Sequence, residues 1–173
     1  MEEKFAENFH LLNMFDQLVP VDYCHATQLD NFFWSSIGKS PMFKKYKDCL
    51  TDSNFSEVSH KLVPGKTYVV KIFTIKMNHR VTSDECLRWL ISQGAVFVGA
   101  QGLAFAWKAF KGKLPVDKLI LSFDEKNKLW KDDEGSYRVP YLNREHDGGW
   151  AIHLGHFETS WSEINGLICF CEK

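Results

Sequence analysis

The run Thr67-Tyr-Val-Val-Lys-Ile-Phe-Thr-Ile-Lys-Met77 constrains the fold of this chain more than any other segment. It is rich in β-branched and aromatic residues and apolar on both faces, the pattern of a strand covered on both sides. A capping box, Thr82-Ser-Asp-Glu85, follows it and opens a helix. Cys86, Leu87, Leu90 and Ile91 supply the inner face of that helix, and Gly94 ends it. A central strand feeding a helix is therefore expected to organise the domain.

Around that unit the periodicity changes twice. In 3–18, Phe5, Phe9, Leu12, Phe15 and Leu18 recur at three- and four-residue steps, which predicts a helix stopped by Pro20. Residues 21–39 read as irregular, with an aromatic cluster at Phe32, Phe33 and Trp34. A second helix is expected from Ser40 as N-cap and Pro41 at its first position, burying Phe43, Tyr46 and Leu50. Residues 51–66 are polar and end in the turn signal Pro64-Gly65. Ala95–Val98 fits a short strand, and Leu103, Ala106, Trp107 and Phe110 fit a short helix. From Leu119 onward, short apolar segments alternate with turn-like DEKN, DDEGS, REHDGG and SEING, which predicts antiparallel strands in a meander or small sheet. The fold class is thus α+β: one domain over 1–173, mainly helical in 1–60, with a mixed sheet core in 67–173.

The 173 residues suffice for a self-sufficient core, because a chain of 20.1 kDa buries roughly 70% of its unfolded surface. The net charge of -1 gives no global steering toward nucleic acid or anionic membrane. Its distribution is uneven: 1–60 carry -4, 61–130 carry +7 and 131–173 carry -4. Lys108, Lys111, Lys113 and Lys118 could form a basic patch for a nucleotide or nucleic acid. Five cysteines, an acidic amphipathic start and no apolar run of membrane-spanning length point to a cytoplasmic protein with reduced thiols.

Motifs that would name a chemistry fail on spacing, and no cofactor is expected. Gly38-Lys39-Ser40 lacks the earlier glycine and the strand of a phosphate loop, since Phe33 holds the glycine position. Gly99-Ala-Gln-Gly102 is a strand-to-helix turn whose amides could face a phosphate. Asp132-Asp-Glu-Gly135 puts Trp130 where a calcium loop needs its first carboxylate. Asp124 and Glu125 read as solvated turn carboxylates. His153, His156, Cys169 and Cys171 have ligand chemistry for zinc. Along a strand, however, His153 and His156 should face opposite sides, and paired core thiols are the common reading of Cys169 and Cys171.

Several pieces recur together in order: Tyr46–Phe55, the 67–77 strand, Thr82-Ser-Asp-Glu85, Leu103–Trp107, Leu114-Pro115, Val139-Pro-Tyr-Leu142, Trp150–Leu154, Trp161 and Leu167–Cys171. In this order they resemble a family of small uncharacterised bacterial proteins. The chain departs from that pattern at Gln101, Gly102, Leu103 and Ala104, and at Cys169 and Cys171. The resemblance implies no catalytic residue. The C-terminal rhythm, a terminal strand after Trp161, is also similar to that of C-type-lectin-like domains.

The function expected from these residues is a non-catalytic binding or regulatory module for a protein or small ligand. Its site would be the aromatic, glycine-containing loop region of Tyr141, Arg144, His146, Trp150 and His153. A metal- or thiol-dependent hydrolase using the C-terminal His and Cys residues is the alternative, and a nucleotide or nucleic-acid binder using the 108–118 lysines is the second.

Overall fold

The computed structural model describes residues 7–31, 48–146 and 148–173. Seven strands form one sheet: β1 (Phe9–Leu18), β2 (Thr67–Ile75), β3 (Ala95–Val96), β4 (Leu119–Leu121), β5 (Arg138–Arg144), β6 (Trp150–His156) and β7 (Asn165–Glu172). Among the described residues two helices of eight residues or more accompany them, α1 (Ser83–Ser92) and α2 (Gly99–Phe110). Their order in the sheet is β1-β2-β7-β4-β5-β6, with β3 also pairing β7. All pairings are antiparallel except β4 with β7.

The α+β expectation holds, and so does the strand–helix unit, except that Ile91, expected on the inner face of the helix, is exposed. β2 lies between β1 and β7 and buries both faces, as its composition requires. Tyr68, Val70 and Ile72 join the core under α2, while Phe73 and Ile75 join the core under α1. The capping box forms in full: Thr82 Oγ1 accepts from Glu85 N, and Glu85 accepts from Thr82 N at 2.7 Å. The C-terminal third is not a simple meander. β4, β5 and β6 are consecutive neighbours, but β7 returns to the middle of the sheet between β2 and β4. The Leu129-Trp130 segment makes only an isolated bridge, Lys131 to Tyr137.

The helix expected over 3–18 is a correction: residues 9–18 are strand β1. A register shift between Leu11 and Asn13 explains the misleading spacing. Phe9 lies opposite Ile75 on the α1 side, whereas Phe15 lies opposite Val70 on the α2 side and packs edge-on against Phe110. A bulge thus swaps the buried face in mid-strand and turns a period of two into an apparent period of three to four. The helix expected from Ser40, the Phe32–Trp34 cluster and Gly38-Lys39-Ser40 lie outside the described residues, although Leu50 is buried as expected. Much of the 1–60 segment expected to be mainly helical lies outside the described residues, and among those described β1 is the longest element.

Candidate functional site

The loop-region residues expected to bind a ligand sit on the β5–β6 hairpin, where register fixes their fate. Tyr141 pairs with His153 and the rings stack, with centroids 5.3 Å apart and planes 16° apart. His153 Nε2 lies 3.1 Å from Glu145 Oε1, which also accepts from Asn143 Nδ2 at 3.3 Å. Arg144 pairs with Trp150 three residues along β5, so both point to the opposite face, where Trp150 packs against the core under α2. His146 is exposed in the turn. The structure therefore brings together Tyr141 and His153, adds Glu145, and separates them from Arg144 and Trp150.

The proposed metal set does not converge either. His156 pairs with Arg138 on the Arg144 side, away from His153. Cys169 and Cys171 lie on β7, with β4 and β5 between them and β6. That is three strand spacings, about 14 Å. Among the described residues, no group of three or more His, Cys, Asp or Glu side chains could hold a metal ion. Three of the four lysines named in 108–118 are individually engaged. Lys111 lies over the Trp107 ring, Lys113 lies over Phe15, and Lys118 donates to the Glu163 carbonyl at 2.7 Å. The Gly99 turn does begin a helix, with Gly99 at φ 60, but it meets a carboxylate: a Cβ at Gly99 would lie 3.4 Å from Asp124 Oδ2. That negative group opposes a phosphate at the same turn.

Asp124 was not legible as a buried residue. It is 1% exposed, accepts from Ser59 Oγ and from the amides of Ser59 and Glu125, and is pushed up to about 6 by burial. A second buried polar pair joins Tyr23 to His25 Nδ1 at 2.7 Å. Burial drives the Tyr23 hydroxyl far above its ordinary range, so it keeps its proton and donates it to the imidazole. Burial likewise holds His25 down at about 4, with Lys61 and His60 adding repulsion. The neutral ring then carries its hydrogen on Nε2, which is buried and meets no hydrogen-bond partner among the described residues. The Asp124 signal does not lie in spacing, because Ser59 comes from a distant segment, and the burial of the local Tyr23–His25 pair is set by the packing around it.

Two surface features remain. A polar cleft of about 420 Å³ is lined by Asn78, His79, Arg80, Ser162 and Glu163. The larger feature is β1 itself. It ends the sheet, so its outer row of backbone N–H and C=O groups meets no strand among the described residues. Leu11, Leu12, Met14 and Leu18 are 49%, 44%, 57% and 55% exposed. Opposite-strand partners place Leu11, Met14 and Leu18 on the α1 side of the sheet, beside half-buried Val69 and Lys71. The charged side chain in β1, Asp16, pairs with Lys173 at 2.5 Å. No helix among the described residues is long and apolar enough to cross a membrane. No family model, curated protein or solved structure matches the chain, so its function has to be argued from this geometry.

Proposed function

We propose that this chain is a binding module whose partner is an extended segment of another protein, added as a strand to the free edge of β1. The observation that carries this reading is a ten-residue edge strand with four large apolar side chains left in solvent. Edge strands are ordinarily blunted by proline, lysine, bulges, charges or shortness; β1 carries one bulge and Asp16, but no proline, no lysine and unusual length. Strand addition satisfies the backbone, and alternate side chains of the incoming segment set specificity. Charge narrows its chemistry. Lys71 lies on the α1 side of the edge and Lys113 on the other, over Phe15, and no carboxylate pairs with either among the described residues. A segment alternating apolar residues with Asp or Glu fits that surface. The module belongs in a reducing compartment such as the cytoplasm, a reading supported by five cysteines none of which is in a disulfide among the described residues. The likeness to C-type-lectin-like domains is supported only by the order of Trp161 and terminal strand β7, and the proposal does not depend on it.

A displayed library of random decapeptides tests this directly. Wild type is expected to enrich alternating apolar–acidic sequences and to gain hydrogen-exchange protection at the β1 amides when they bind. Met14→Lys with Leu18→Lys, at exposed positions, removes apolar contact worth about 2 kcal/mol, or roughly 30-fold in affinity. Enriched peptides indifferent to that double substitution, or no enrichment at all, would overturn the proposal. A concentration-dependent dimer abolished by the same pair would replace the foreign segment with a second copy of this chain.

A further inference from the structure

Cys169 and Cys171 point to the same face of β7, and Lys71 lies opposite Cys169 on β2. The two thiols interact with each other, while Lys71 Nζ and Cys171 Sγ both donate to the Gln93 carbonyl, at 2.9 and 3.5 Å. Two residues along a strand span about 6.6 Å between Cα atoms, and same-face Cβ atoms keep about that separation. An unstrained disulfide needs Cβ atoms about 3.8 Å apart, so the strand disfavours an S–S bond. A single ion between two thiolates fits the wider gap. Zinc would require four ligands, and no third donor joins the pair among the described residues. Soft thiolates select copper(I), a d¹⁰ ion satisfied by two sulfurs in line.

We propose that Cys169 and Cys171 form a two-coordinate site for a soft monovalent cation, copper(I) or its silver(I) analogue, with Lys71 as its counter-charge. Two S–H bonds break and two metal–sulfur bonds form. Both protons leave to solvent, and no electron is transferred. The resulting bis-thiolate complex carries one negative charge, which the Lys71 ammonium offsets across the Lys71–Cys169 pair. Cys171 lies between Val69 on β2 and Ala95 on β3, two residues from the chain's last residue, and is 6% exposed against 3% for Cys169. The site shares Lys71 with the surface proposed for the β1 partner, and titration of the chain alone tests it apart from that partner.

Anaerobic titration of the reduced full chain with copper(I), buffered by a competing chelator, tests the site in a Cys24→Ser/Cys49→Ser background that removes the more accessible thiols. One equivalent is expected to bind, with up to two protons released per ion. Cys169→Ser and Cys171→Ser should each abolish that equivalent, and Cys86→Ser should leave it intact. Lys71→Met should weaken it about 10-fold, the scale of outer-shell partners. Alkylation mapping supplies a readout that needs no variant: bound metal should protect Cys169 and Cys171 together. No binding in the background protein, binding that survives both serine substitutions, or no protection of the two thiols would each overturn the proposal.

Discussion

Trp161→Ala is expected to cost about 3–5 kcal/mol, the largest loss from any single residue considered above. Its ring is 5% exposed and meets Phe123 edge-on at 6.0 Å. Its position is fixed through both its backbone and its side chain. Val81 and Trp161 exchange N–H···O bonds at 3.0 and 2.8 Å, tying the segment before β7 to the start of α1. Trp161 Nε1 donates to Ser83 Oγ at 2.8 Å, and Ser83 Oγ donates to the Phe157 carbonyl at 2.5 Å. The relay lets a buried indole keep a partner, and it links α1, the end of β6 and the approach to β7 through one hydroxyl. Ser83→Ala leaves the indole N–H and the carbonyl without that partner, at about 1–3 kcal/mol. Gly155 completes the fit, since a Cβ there would stand 2.9 Å from Trp161 Cη2. Gly155→Ala should therefore destabilise wild type and cost less in Trp161→Phe, whose smaller ring withdraws from the contact. Denaturant unfolding of the four proteins measures that coupling, and strictly additive costs would show that the glycine does not accommodate the ring.

What could be read from the sequence follows from how local each signal is. The 67–77 strand and the Thr82–Glu85 cap were legible because their cause lies within a few residues: two apolar faces in one case, two reciprocal hydrogen bonds in the other. β1 was misread because its bulge is visible only against β2, and a bulge reverses which side chains turn inward. The His/Cys group dissolved for a topological reason. β7 inserts beside β2, so residues 13 to 18 positions apart in sequence end on strands separated by two others. Tyr141 and His153 met because a hairpin register is local, while Arg144 and Trp150 left them because alternation sends every second residue to the other face. Asp124 looked like a surface carboxylate because the Ser59 that binds it is 65 residues away.

His25 and Asp124 should each tilt the stability of the protein against pH, in opposite directions. Asp124 has a folded value of about 6 against an ordinary 3.8, so between those values the folded state holds more protons than the unfolded chain. Stability from this group is full below 3.8 and falls as pH rises through 6, by about 3 kcal/mol. His25 has a folded value of about 4 against 6.5, so over that range the unfolded chain holds more protons. Its contribution is full above 6.5 and falls by a similar amount, about 3 kcal/mol, as pH drops to 4. Their windows overlap, and the two slopes nearly cancel between pH 4 and 6. Replacing one exposes the other. Asp124→Asn is expected to steepen the loss of stability on acidification relative to wild type, and to gain stability at pH 7 in so far as the amide still accepts from Ser59. His25→Asn, whose carbonyl can still accept the Tyr23 hydroxyl, should instead make the protein relatively more stable as pH falls from 6.5 to 4. Urea unfolding at half-unit pH intervals gives both differences directly. Parallel curves for wild type and both variants across pH 4–6.5 would mean that neither group carries the proton linkage its burial demands.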